Sequence, residues 1–519
     1  MKINIFRITI PVLFISLILS CTKNFEEYNT NPNGIRAVSP DQLLPAALLN
    51  SINTGMIRNR NFNNELMQVT VNISDAEGAV FRYDFRSTWS DYMWNNLYTE
   101  LTNFKDMYQD TSSANNSSYK GISLICQAWI YSILTDTYGD IPFSESNRAK
   151  AAYGGIVEPK FDTQKDIYLG LFEMLEEANT LLSANEIINA GRDPIYNGDI
   201  AGWRKFGNSL YLRLLLRVSG KADVSAQAIA KIKEIAETNT VTYPIFANNS
   251  ESARLLWNGI APYSSPFSTI RVQDFRAPAL CSFFLDYLIT WSDPRFQTST
   301  PYGSGSIGRL GISQASSGGF FGVQSGYLPG QGEAKGSYFQ SSDNASTGSW
   351  SLQINPNTGI MMQYAEVEFI LAEAVVKGWI SGNAQTYFYQ GMASAINYWV
   401  PSFPESITSS NFAEHLVNLG NGSVIWDDGL SLDEKMELVH LQKYYALFTT
   451  DYQQWFEYRR TGHPNLHLGD LHGLKNGGVM PARMVYPVYV QSTNPTNYKA
   501  AVAAQGADLI STNVWWQKP

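Results

Sequence analysis

Residues 128–145 read AWIYSILTDTYGDIPFSE, and the way this run stops decides how the chain is organised. Upstream of it, Ile122, Ile125, Trp129 and Ile133 recur at helical spacing between Tyr119 and Thr137, and apolar residues occupy the other faces as well. A helix that is apolar all round belongs inside a protein. The spacing therefore predicts a buried helix that ends at Tyr138-Gly139-Asp140-Ile141-Pro142, where glycine supplies the turn and proline forbids continuation.

Further helices follow on the same reasoning. Asp162 precedes a stripe of Ile167, Leu171, Leu175, Ala178 and Leu182. Trp203, Phe206, Leu210 and Leu214 repeat the pattern up to Gly220, with Arg213 and Arg217 in the last turns, where cations suit the helix dipole. Ala226 to Glu237 adds a shorter helix. Later, Val367, Ile370, Leu371, Ala374 and Gly378 mark a helix rich in small residues, with a partner through Tyr387, Gly391 and Ala395. Ser431-Leu-Asp-Glu434 is a capping box that opens a helix carrying Leu438, Leu441, Tyr445 and Phe448. Helix pairs with small residues at the crossings resemble tetratricopeptide units. The predicted fold is mainly α, a tetratricopeptide-like scaffold of helical pairs with long irregular loops packed on one side. Its helical blocks lie at about 119–237 and 363–460, with a loop-rich excursion at about 250–357.

The N-terminus reads differently. Lys2 and Arg7 precede an apolar stretch from Ile8 to Leu19, about a dozen residues and too short for the roughly 30 Å core of a bilayer. A basic start, a short apolar run and Ser20 before Cys21 describe a lipoprotein signal. Residues 1–20 are expected to be the signal peptide and 21–519 a single domain, with lipid on Cys21. Stable anchoring then needs more than one acyl chain. Cys126 and Cys281, set in LICQAW and ALCSFF, read as small buried hydrophobes and not as a disulfide.

Composition excludes several functions. A net charge of −9 gives no basic face for nucleic acid. Gly303-Ser-Gly305-Ser-Ile-Gly308 matches GxGxxG but lacks the strand and helix that a dinucleotide site needs. His463, His467, His472 and Asp470 sit among Pro464, Gly469 and Gly473, so turn and surface roles outrank a metal centre. No HExxH, CxxC, P-loop or GxSxG occurs, no EF-hand spacing supports calcium, and nothing calls for a cofactor or a metal. The adjacent acids Asp427-Asp428 and Asp433-Glu434 read as solvated or capping carboxylates, which leaves a surface glycoside hydrolase the weakest alternative.

Several stretches together resemble the SusD/RagB-like nutrient-binding outer-membrane lipoproteins, closest to the SusD-like 2 branch. They are residues 128–145, WRKFGNSLYLRLLLRVSG (203–220), SDPRF (292–296), YAEVEFILAEAVVKGW (364–379), LQKYYALFTTDYQQWFEYRRTGHPNL (441–466) and PARMVYPVYVQSTNPTNY (481–498). The resemblance implies four tetratricopeptide-like pairs and a cell-surface, lipid-anchored protein of a Gram-negative outer membrane. It also implies a lid-like role over a SusC-like TonB-dependent transporter, no catalysis, and oligosaccharides or, in some members, peptides as ligand. Thr22 to Glu27 resembles the surface-export signal, and Trp515-Trp516 the family's ending. Trp94, Tyr98 and Asn103 match a structural pattern of the family.

The family's ligand contacts do not carry over by motif, so they are argued from chemistry. Sugar rings present C–H faces to aromatic planes and hydroxyls to directional polar groups, on loops held by a rigid frame. Three segments fit. Asp75 to Trp94 offers Asp75, Arg82, Tyr83, Trp89 and Tyr92. Leu255 to Asp274 offers Trp257, Tyr263, Phe267 and Arg271. The segment from Pro301 to Asn357, rich in Gly and Ser, offers Phe320, Phe321, Tyr327, Tyr338 and Trp350.

Overall fold

The structure, a computed structural model, describes residues 38–73, 78–112, 115–296, 308–315, 318–343, 350–421 and 424–518. Residues 40–519 form one compact unit. Cys21, with the whole signal segment, and Asp75 lie outside the described residues.

Helices pair along the chain. α1 (Pro40–Arg58) packs on α2 (Asp91–Gln109), and α3 (Ser117–Tyr138) on α4 (Gln164–Ser183). α5 (Ile200–Val218) packs on α6 (Ser225–Lys233), and α8 (Tyr364–Val376) on α9 (Ala384–Trp399), while α7 (Ser282–Thr290) stands among the loops between. α10 (Ser410–Asn421), α11 (Leu432–Ala446), α12 (Gln453–Thr461) and α13 (Pro495–Gln505) follow. None of the described helices is long and apolar enough to cross a membrane.

Local chemistry sets the helix ends. Asn116, Asp199 and Asn383 cap α3, α5 and α9 by accepting backbone N–H bonds, and Ser431 and Glu434 form the expected capping box on α11. The cap of α4 is Thr163, not Asp162. Asp162 instead accepts from the Phe143 and Ser144 amides at 3.1 and 2.8 Å, fixing the turn after α3. α3 is buried from Ser118 to Tyr138 apart from Lys120, as its pattern predicts. At Gly139, φ is +84°, and a Cβ would fall 1.7 Å from Oε1 of Gln505, which accepts the Asp140 amide. α13 therefore closes on the turn that ends α3. At the α8–α9 crossing, Gly391 packs against the Phe369 ring so closely that a Cβ there would lie 2.9 Å from it.

Two features go beyond the sequence reading. α1, α2, α7 and α13 lie outside both predicted helical blocks; in α1, Pro40 and Pro45 obscure the pattern, Pro40 at little cost because it sits at the helix start. Arg213 and Arg217 lie in the final turns of α5 as read, and the structure adds that both are buried in ion pairs. Arg213 grips Glu366 with Nε and Nη2 at 2.6 Å each, both side chains 1% exposed. Arg217 lies 3.3 Å from Asp136 and 3.0 Å from Glu457, joining α5 to α3 and α12. Arg460 adds a double contact to Glu373 at 2.7 Å, and Lys443 meets Glu457 at 2.7 Å. Removing one partner from such a pair typically costs about 3–5 kcal/mol.

Strands are few and short among the described residues. β1 (Thr70–Val71) pairs with β3 (Ala279–Leu280), β2 (Ala253–Leu255) with β6 (Gly359–Met362), and β4 (Ile312–Gln314) with β5 (Ser337–Phe339), all antiparallel. These ladders tie the loop-rich segments to the helical frame. Cys126 and Cys281 are buried free thiols, pushed up in pKa by burial, as expected of small core residues.

Candidate ligand-binding concavities

The β1–β3 ladder carries a concavity at each end. At the Asn72–Pro278 end, a space of about 320 Å³ is walled by three segments: Arg60, Asn61 and Glu65; Gly78 to Trp89; and Asp274 to Pro278. The first wall exists because α1 does not end cleanly. It continues as a π-helical turn, Asn59–Asn63, and such turns often sit at functional sites. Arg60 lines the space and donates to the Asp274 and Phe275 carbonyls at 2.9 and 3.3 Å, binding the first wall to the third.

Trp89 is the aromatic of this wall, and it is held from several sides. Phe62 lies 5.7 Å from its ring, and the Arg58 guanidinium sits 4.6 Å from Trp89 and 4.5 Å from Tyr92. Arg58 therefore joins both half-buried rings through cation–π contacts. The Trp89 indole N–H has no partner among the described residues. Burial raises the Glu65 carboxyl to about 7, against a hydrogen bond from the Phe81 backbone and the charge of Arg60. The site thus offers a fixed ring beside amides, guanidiniums and carboxyls, a set that binds hydroxyls and apolar ring faces.

The remaining predicted residues divide by burial. Tyr83, Arg82, Trp257 and Tyr327 are 2, 5, 5 and 9% exposed. Arg82 donates from Nε to the Tyr327 carbonyl at 2.8 Å and lies 4.7 Å from both the Phe81 and Tyr327 rings. Rings this deeply covered offer no stacking face, because loop aromatics pack beneath the loops that carry them. Phe267 is buried likewise. Tyr263, Phe320, Tyr338 and Trp350 are half-buried, and Phe321 and Arg271 are exposed. Phe320 meets Phe296 edge-on at 4.8 Å, Lys335 covers Tyr338 at 4.2 Å, and Arg309 covers Trp350 at 3.5 Å. Arg271 pairs with Asp274 at 2.7 Å on the rim of the first concavity. Of the predicted residues, Trp89 lines this space; Tyr92 is joined to it through Arg58 and Arg271 through Asp274, and the loop aromatics lie elsewhere.

At the Gln68–Ser282 end of the ladder, a second space of about 370 Å³ is lined by α7 and by Gln324 and residues 466–471. Phe283 and Tyr287 face it from α7. The sequence reading passes over both, because it places them inside the loop-rich excursion at about 250–357, where the structure has α7. A larger concavity, about 700 Å³, lies between α2, α4 and the 143–154 loop, with Lys105, Arg148, Glu173 and Glu177 in its walls. Burial and Arg148 bring the Lys105 amine down to about 8.

The histidines of the 463–472 segment, read from sequence as turn and surface residues, take separate contacts. His463 bonds Glu437 at 2.7 Å, and among the described residues the only trio within metal-binding reach is Glu373, His440 and Glu457. Arg460 and Lys443 already neutralise those carboxylates. The acid pairs act in turns and caps: Asp427 accepts the Gly429 amide, and Glu434 accepts that of Ser431.

With this geometry in view, comparison with known proteins decides the family. The family described as SusD-like, starch-binding associating with outer membrane, matches residues 32–487. The chain belongs to that family. This SusD-like chain also shares its fold with solved structures. A SusD homologue from Bacteroides fragilis is 23% identical, with a TM-score of 0.71 over 93% of this chain and 99% of that one. A chitin-binding SusD homologue from Flavobacterium johnsoniae is 18% identical, with a TM-score of 0.72 over 91% and 98%. A Bacteroides vulgatus outer-membrane protein described in terms of nutrient binding is 22% identical, with a TM-score of 0.71 over 93% and 100%. Among curated proteins nothing matches. Membership makes this an outer-membrane nutrient-binding protein of a family whose members generally bind without catalysing.

Proposed function

We propose that this chain captures oligosaccharides at the cell surface and delivers them to a SusC-like TonB-dependent transporter, held to the outer membrane by lipid on Cys21. The observation that carries the sugar reading is the wall of Trp89, a ring fixed by Phe62 and Arg58 beside Arg60, Asn61, Glu65 and Asp274. An aromatic plane ringed by directional polar groups suits a pyranose, whereas an extended peptide asks for exposed backbone edges along a groove. The 320 Å³ space lies within the range of about 300–1,000 Å³ usual for ligand pockets. The chitin-binding relative makes N-acetylglucosamine oligomers the first ligands to try.

Titration calorimetry against a panel of oligosaccharides and peptides tests this reading. Trp89→Ala is expected to weaken the bound glycan about tenfold or more, the worth of roughly 1.4 kcal/mol, with the fold retained. Peptide binding with no glycan binding would overturn it.

A further inference from the structure

We infer that the concavity at the Gln68–Ser282 end of the β1–β3 ladder is a second sugar subsite, one that takes neutral or amine-bearing units and turns away acidic ones. The inference rests on the glycan reading above and adds to it a separate site with its own selectivity. Phe283 and Tyr287 stand one helical turn apart on α7 and so share a face. Both are braced from behind: Phe283 meets Tyr444 edge-on at 5.5 Å, and Tyr287 lies 5.1 Å from Trp291. The two half-buried rings also meet each other edge-on at 5.6 Å, a fixed aromatic corner whose ordering cost is met before a ligand arrives.

Around these rings the polar groups are available. The carboxylates of Asp286 and Asp470 and the ring of His467 make no hydrogen bond or ion pair among the described residues. Gln324 donates its amide N–H to the Asp470 carbonyl at 3.2 Å, which orients its side chain at the rim. Acceptors that face a cavity without protein partners suit the hydroxyls or amine of a sugar standing on an aromatic plane.

Charge sets the selectivity. Among the described residues no lysine or arginine lines this space, whereas Arg60 and Arg86 line the first. A uronic-acid carboxylate here would face two carboxylates with no cation beside it, and like charges at close range are costly. An ammonium group would meet both acids and the negative ring faces. A bare metal ion fits poorly, because Asp286, Asp470 and His467 are not among the groups whose ligand atoms approach within metal-binding reach.

The test is titration calorimetry of the full chain in detergent, using the N-acetylglucosamine hexamer, its fully deacetylated form and the galacturonic acid hexamer. Tyr287→Ala is expected to weaken both glucosamine-based hexamers about fivefold to tenfold. Asp286→Asn, a surface change that leaves the helix intact, is expected to weaken the deacetylated hexamer several-fold and the acetylated one by less than about twofold. Glycan binding that falls in Trp89→Ala but stays unchanged in both α7 variants overturns the second subsite and leaves the first standing. Galacturonate binding that depends on Tyr287 overturns the charge selectivity. Failure of every glycan to bind overturns the glycan reading itself, and this inference with it.

Discussion

One ladder, two residues long in each strand, has concavities of about 320 and 370 Å³ at its two ends, and their electrostatics differ. The first has Arg60 and Arg86 among its walls, with Glu65 and Asp274 for balance, and a single indole. The second has two rings, two carboxylates and, among the described residues, no cation. The difference comes from what each adjoining helix contributes. α1 unwinds into a π turn that exposes Arg60 and Asn61, whereas α7 stays regular and presents Phe283, Asp286 and Tyr287 at helical spacing. A common frame thus carries two chemistries, set by a few side chains at either end.

The largest effect should come from breaking the frame that both ends share. Arg213→Ala leaves Glu366 buried without its partner and is expected to cost about 3–5 kcal/mol in chemical denaturation, with both concavities lost together. Loss of one site alone would show that the ends are independently supported.

The next effect should separate the ends by pH. Burial raises the Glu65 carboxyl to about 7 in the folded chain, above its unfolded value near 4.5. Between those values the folded state holds more protons, so stability falls as pH rises through roughly 4.5 to 7 and then levels off. Glu65→Gln should flatten that slope, worth about 2 kcal/mol, as measured by denaturation at pH 5 and 8. A slope unchanged by the substitution would place its origin elsewhere, with Glu368, also raised to about 7 by burial, the next group to replace.

The smallest effect concerns Arg58. Arg58→Ala should weaken glycan binding at the Trp89 end about threefold, in line with a cation–π contact of about 0.5–1 kcal/mol, and leave the Tyr287 end unchanged. Arg58→Lys should recover part of the loss.

Sequence and structure agree where burial follows from period. α3, α4, α5, α8 and α11 are visible as apolar spacing with chemically sensible ends. α1 is not, because prolines in its first turns hide a helix that packing on α2 supports. In the loops, residue type does not reveal depth. Arg82 and Tyr327 look like a surface cation and ring, yet they bond each other's segments inside the fold. The reverse holds on α7, where Phe283 and Tyr287 look like core and face a cavity. Trp89 stands out in the sequence as a candidate because it lies in a polar segment just before a helix. Its setting by Arg58 and Phe62 is not readable there, since α1 and the π turn that follows it bring those residues from about thirty positions upstream.

The most direct measurement is a crystal structure of the chain with the N-acetylglucosamine hexamer bound. The account predicts a sugar ring against Trp89 in the concavity walled by Arg60 and Asp274. A glycan seated instead in the helical groove of Lys105 and Glu173, with both ends of the ladder vacant, would contradict it.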